Sequence, residues 1–197
     1  MNHGVTDSMR ILLGITGASG SIYAVRLIKN LYAGDHEVHL IVTHSGEKVI
    51  AHECPAEAAL LTTWVHCRYD VDDVGAAVAS GSFPMDAMAI VPCSMKTAAC
   101  IAHGISDNLL TRAADVTLKE GRPLLLVPRE APMSAIHLEN LLQLSRAGAI
   151  ILPACPAFYH RPQTIEDLAD MLTGKILDAL HIENHLFPRW PLTAVQT

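Results

Sequence analysis

Apolar residues recur along the chain in two rhythms. Short, nearly unbroken runs, RILLGI, EVHLIV, AMAIV, PLLLV and AIIL, have the length and β-branched content of buried strands, with a weaker run at HCRYD. Between them the apolar positions return every three or four residues, which predicts helices over 21–33, 45–53, 96–103, 107–119, 134–146 and 165–180. Thr164 with Asp167 forms a capping box before the last helix, and Gly148 caps the fifth. Strands alternating with helices predict an α/β fold with a central parallel sheet between two helical layers.

The chain has 197 residues and no internal repeat or linker, so one domain over 1–197 is expected. Residues 1–8, MNHGVTDS, read as a flexible arm, with Met9 an alternative start. Residues 181–197 form a C-terminal segment carrying Trp190. The arm has no apolar core of a signal peptide, and no apolar run reaches the roughly 18 residues of a membrane span. A soluble, cytoplasmic protein is expected.

A net charge of −6 argues against a nucleic-acid partner. Charged residues make up only 17% of the chain, too few to coat a monomer, which points to a homo-oligomer. The five cysteines include no CxxC pair, and the eleven histidines no HExxH, so neither disulfides nor a metal site is expected. Cys93 and Cys100 read as core-filling thiols, with no obvious base beside either.

Chemistry gathers where the strands end. Thr16 and Ser19 follow the first strand, Thr43 the second, Pro92-Cys93-Ser94 the third long run, Arg129-Glu130 the fourth, and Phe158-Tyr159-His160 the loop after the fifth. In an open parallel sheet these C-terminal ends share one edge, where such folds bind ligands. The glycine turn, Gly14, Gly17 and Gly20, is spaced GxxGxxG. The second strand ends in Thr43 and Ser45 with no carboxylate for a ribose. Hydroxyls at a helix N-terminus suit a phosphate monoester, so FMN fits and NAD does not. Glycine also serves a tight strand-to-helix turn without any ligand.

Arg112 and Lys119, seven residues apart, share one helical face, and Arg129 follows the next strand. Three cations near one sheet edge would suit a second anionic ligand, against the plain alternative of a solvated face. Lys175 sits at the margin of the last helix's apolar stripe, as a snorkelling lysine would. Glu53 ends a helix as an exposed acid, and Trp190 in LFPRWP could simply anchor the C-terminal segment.

The segments GITGASGSIYAVRLI, ASGSF, VPCSMKT, the long block DNLLTRAADVTLKEGRPLLLVPREAPMSAIHLENLLQLSRAGAIILPACPAFYHRPQTIEDL and LFPRW resemble the UbiX/Pad-type flavin prenyltransferases from about residue 10 to 190. The resemblance implies a flavodoxin-like (Rossmann-like) fold. It implies metal-free transfer of a dimethylallyl group from dimethylallyl monophosphate to N5 and C6 of reduced FMN. The product, prenylated FMN, would serve UbiD-type decarboxylases, and the assembly would be a dodecamer with FMN at subunit interfaces.

By the same resemblance, Gly17, Ala18, Ser19, Thr43, Ser94, Thr97 and Arg112 would hold FMN. Ser80, Gly81, Lys119, Arg129 and Tyr159 would grip the prenyl phosphate, with Lys175 where some members have arginine. Glu130 would protonate the leaving phosphate, Trp190 would face the dimethylallyl cation, and Ser19 with Glu53 would assist proton removal. Two rival expectations stand beside this one: an FMN-dependent cysteine decarboxylase of the same fold, and a non-catalytic FMN-binding oligomer.

Overall fold

The computed structural model describes residues 8–190. Residues 1–7 of the expected arm over 1–8 and the last seven residues lie outside them. Six parallel strands form one sheet: β1 (Arg10–Ile15), β2 (Glu37–Val42), β3 (Cys67–Tyr69), β4 (Ala87–Cys93), β5 (Leu124–Pro128) and β6 (Ile150–Ile151). Their spatial order is β3-β2-β1-β4-β5-β6. The order reverses between β1 and β4, and ligands of doubly wound sheets bind at that switch point. All six predicted strands are present. The run AIIL pairs over only two residues, and β4 extends beyond the predicted AMAIV to Cys93.

Period-two alternation sorts the strand side chains between two cores. Ile11, Leu13 and Ile15 face a layer made by α1 (Ser21–Ala33), α2 (His44–Glu53) and α7 (Ile165–Ala179). Leu12, Met88 and Ile90 face α4 (Met95–Ala102), α5 (Leu109–Lys119) and α6 (Ala135–Arg146). A one-turn helix, α3 (Pro55–Ala58), was not predicted. Gly14 belongs to packing: a Cβ there would lie 2.9 Å from Leu110 Cδ1 of α5.

Caps set the helix boundaries. Thr43, Ser94, Asn108, Ser134 and Thr164 each accept a first-turn N–H with the side-chain oxygen. Asn108 is therefore a cap, and α5 starts two residues later than predicted. The Thr164–Asp167 box forms as expected, and Gly148 takes a φ of +99° just past α6. No helix among the described residues is long and apolar enough to cross a membrane.

Candidate active site

At the switch point, Thr16 is a structural clasp. Its hydroxyl donates to the Pro92 carbonyl at 2.7 Å and accepts the Ser94 N–H at 2.7 Å, tying the β1 turn to the β4 turn. Buried and fully engaged, Thr16 is not available to a ligand. Ser19 is exposed beside it, and its carbonyl accepts from Arg129 Nε at 3.1 Å, so the turns after β1 and β5 are joined. Glu130, half-buried, accepts the Ala131 N–H at 3.1 Å.

The N-terminus of α1 is already supplied with an anion. Glu53, from the end of α2, accepts the Gly20 N–H at 2.9 Å and the Ser21 N–H at 2.8 Å, both on Oε2. Partial burial pulls its carboxyl upward. Interaction with the Ser19 hydroxyl, the two backbone N–H groups and the Ser21 side chain outweighs this and holds it below the usual carboxylate range. Glu53 is exposed, as expected, and is also an ionised partner of Ser19.

A separate cleft of about 170 Å³ opens beside the starts of α2, α4 and α5, lined by Thr43, His44, Ser45, Val71, Asp72, Lys96 and Asn108. Thr43 Oγ1 accepts the Gly46 N–H at 3.1 Å, which leaves its proton free to donate. The His44 and Ser45 N–H groups have no acceptor within their helix. Lys96, held charged by Asp107 at 2.9 Å, supplies a cation. These groups fit a phosphate monoester. Gly17 makes the arrangement tight, since a Cβ there would sit 2.5 Å from Ser45 Cβ. Ala18 is buried in the same turn. Ser94 hydrogen-bonds Thr97 Oγ1 at 3.0 Å, and Arg112 pairs with Asp115 at 3.1 Å near the start of α5.

Tyr159 and Trp190 meet edge to face, ring centroids 5.2 Å apart. Arg189 reaches Asp178, and the Tyr159 side chain is close enough to favour its charge, though the Asp178 hydrogen bond dominates. Lys175 is exposed ten residues along α7, roughly 15 Å from its start, and lies 3.9 Å from the same Asp178.

The expectation of three cations at one edge is corrected. Arg112 and Arg129 lie at the C-terminal edge of the sheet, but α5 runs antiparallel to the strands and delivers Lys119 to the N-terminal edge. Ser80 and Gly81 precede β4 and lie there too. A Cβ on Gly81 would be 3.1 Å from Lys119 Nζ. Between the two edges runs β4, and from Asp86 just before it to Ser94 just after it the chain rises about 25 Å. Within one chain, Ser80, Gly81 and Lys119 therefore do not join Ser19, Glu53, Arg129 and Glu130.

Sequence reasoning passed over Lys96, although it sits inside the quoted PCSMKT, and over Arg189, the neighbour of Trp190. It also passed over Arg122, whose guanidinium bonds a loop about 40 residues away. As expected, Cys93 is a core thiol: burial pushes it up to about 12.

The Flavoprotein family model matches residues 2–184. Flavin prenyltransferase LpdB of Lactiplantibacillus plantarum is 54% identical over 182 residues, 92% of this chain and 97% of its own length. The crystal structure of AnUbiX (PadA1) in complex with FMN and dimethylallyl pyrophosphate superposes with a TM-score of 0.92 at 40% identity, covering 95% of this chain and 100% of that one. A dodecameric FMN-dependent UbiX-like decarboxylase from Escherichia coli O157:H7 gives 0.89 at 42%, over 93% and 99%. The cysteine decarboxylase TvaF of thioviridamide biosynthesis, at 19% identity and 0.58 over 73% and 88%, shares the fold alone. The chain belongs to the flavoprotein family and, within it, to the flavin prenyltransferases.

Proposed function

We propose that this protein transfers a dimethylallyl group from dimethylallyl monophosphate to reduced FMN, and that the prenylated FMN passes to a UbiD-type decarboxylase. The observation that carries the reading is the Ser19–Glu53 pair at the switch point, an ionised carboxylate beside the hydroxyl of a residue whose carbonyl Arg129 binds. Neither a cysteine decarboxylase nor a non-catalytic flavin carrier gives a use to this pair together with the Ser80–Gly81–Lys119 cluster.

FMN is held by Thr43, Ser94 and Thr97 at the helix N-termini and by the Gly17–Ser19 turn, with Arg112 alongside. Reduced FMN supplies the nucleophilic N5 and C6 positions. The chain's own residues do the rest. Lys119, Arg129 and Tyr159, with Lys175, hold the allyl phosphate and neutralise the leaving group, the task a metal performs elsewhere. Glu130 gives the departing phosphate a proton. The Trp190 face stabilises the allylic cation, by about 2 kcal/mol once water is excluded. Glu53, whose Oε2 is committed to α1, keeps Oε1 for the proton exchanged through Ser19.

Because the phosphate-gripping residues lie at both edges, one chain holds two half-sites. A homo-oligomer, a dodecamer like the Escherichia coli relative, brings the Ser80–Gly81–Lys119 edge of one copy onto the Ser19–Arg129–Tyr159 edge of another. Such contacts also suit the charge-poor surface and the exposed Phe158, Tyr159 and Trp190. Anaerobic incubation with reduced FMN and dimethylallyl monophosphate tests the function. A flavin heavier by one C5H8 unit is expected; unchanged flavin refutes it.

A further inference from the structure

We propose that Arg122 is a positioning residue for the allyl-phosphate grip, fixing the Ser80–Gly81 turn against Lys119; this rests on the flavin prenyltransferase reading above. Arg122 touches neither half of the chemistry. Its guanidinium donates from Nη2 to the Gly81 carbonyl at 2.6 Å and from Nη1 to the Phe83 carbonyl at 3.0 Å. A planar fork spanning two carbonyls of one turn sets that turn's orientation as well as its position, which a lysine cannot do.

The backbone of Arg122 is itself fixed to the helix that carries Lys119. Gly121 takes a φ of +67° directly after α5, and the Arg122 N–H returns to the Thr117 carbonyl at 3.0 Å. The end of α5 and the turn before β4 therefore move as one body. From the other side, Arg10 donates to the Pro84 carbonyl at 3.0 Å and lies over the Phe83 ring.

With the Gly81 and Phe83 carbonyls held inward, the Gly81 N–H is left without a hydrogen-bond partner among the described residues. The Gly81 Cα faces Lys119 Nζ, which would stand 3.1 Å from a Cβ there. The Glu120 carboxylate now fills this corner. It is 2.5 Å from Lys119 Nζ, and its Oε1 would be 2.1 Å from a Cβ on Gly81. An anion already rests against the Lys119 ammonium at the Gly81 turn, the corner a phosphate oxygen would use. Glu120 swings aside when the substrate phosphate arrives, while Arg122 keeps the turn in place.

The test measures steady-state prenylation by Arg122→Lys and Arg122→Ala in the assembled enzyme, varying dimethylallyl monophosphate and FMN separately. We expect KM for the allyl phosphate to rise about tenfold in R122K and further in R122A. The FMN dissociation constant should stay within about twofold, because FMN is held at the opposite edge. An unchanged KM in both variants overturns the proposal. So does loss of assembly or of FMN binding in both, which would make Arg122 a folding residue only. If the wild-type protein makes no prenylated flavin, the functional reading fails first, and the two failures are told apart.

Discussion

Glu53, from the last turn of α2, accepts the Ser21 N–H at 2.8 Å and so caps a helix that is not its own. The glycine turn after β1 presents the form of a phosphate loop, yet the Gly20 and Ser21 amides at its end are taken by this carboxylate. The free helix N-terminus with hydroxyl and lysine lies one strand over, at Thr43.

Glu53→Gln separates the two duties of this residue. The amide keeps an acceptor for α1 but no charge and no proton-accepting oxygen. Prenylation should fall at least about 100-fold, while stability drops by about 1 kcal/mol. Product formation by mass spectrometry and thermal melts report the two separately. The wild-type carboxyl is depressed in the folded state, so its contribution to stability is complete above the unfolded value of about 4.3 and is lost as pH falls through the lower folded value. Glu53→Gln should remove that dependence, its loss of about 1 kcal/mol being full in the neutral range and vanishing in acid.

A second acid-sensitive cluster lies at the N-terminal edge. Glu37 is brought down to about 2, first by Arg10 at 2.7 Å and then by His39 at 2.8 Å. Burial outweighs Glu37 and lowers His39, so the neutral ring donates to Glu37 from Nε2 and accepts from the Tyr69 hydroxyl on Nδ1 at 2.8 Å. Both groups favour the fold at higher pH. The His39 share declines as pH drops below about 6.5, and the Glu37 share is lost between about 4.3 and 2. Urea denaturation from pH 7 to 3 should show a shallower acid slope in Glu37→Gln.

Much of this molecule is legible in the residue order. Apolar runs located every strand, and the Thr164–Asp167 box and Gly148 located helix ends, because these signals are local. The position of Lys119 was not local. A seven-residue spacing fixes the angle of a side chain around a helix but not the end of the sheet at which the helix stops. Arg112 and Lys119 share a face and still stand at opposite edges. The bonds of the exposed Glu53 were not local either: they reach the neighbouring helix start, 33 residues earlier in the chain.

Gly17→Ala probes the cleft. The added methyl would stand 2.5 Å from Ser45 Cβ, so the first turn of α2 must shift and carry Thr43 with it. Overpacking of this kind costs about 2 kcal/mol, and FMN affinity should weaken about tenfold. Gly75→Ala, whose nearest contact would be 3.4 Å from Asp73 Oδ1, should leave both unchanged. Flavin fluorescence titration and melting temperature check the pair.

Two half-sites per chain make a prediction about mixtures. Glu53→Gln disables the C-terminal edge, and Lys119→Ala disables the N-terminal edge, so each homo-oligomer should be inactive. In a co-expressed mixture, random assortment leaves about one contact in four with both intact edges facing each other, and activity should return in about that proportion. A chain carrying both substitutions, co-expressed with wild type at the same ratio, should retain a similar fraction, because only contacts between two wild-type chains then join two intact edges. If each site were completed within a single chain, the first mixture would stay inactive while the second kept half of its activity. The β4 strand that separates Asp86 from Ser94 requires the former pattern.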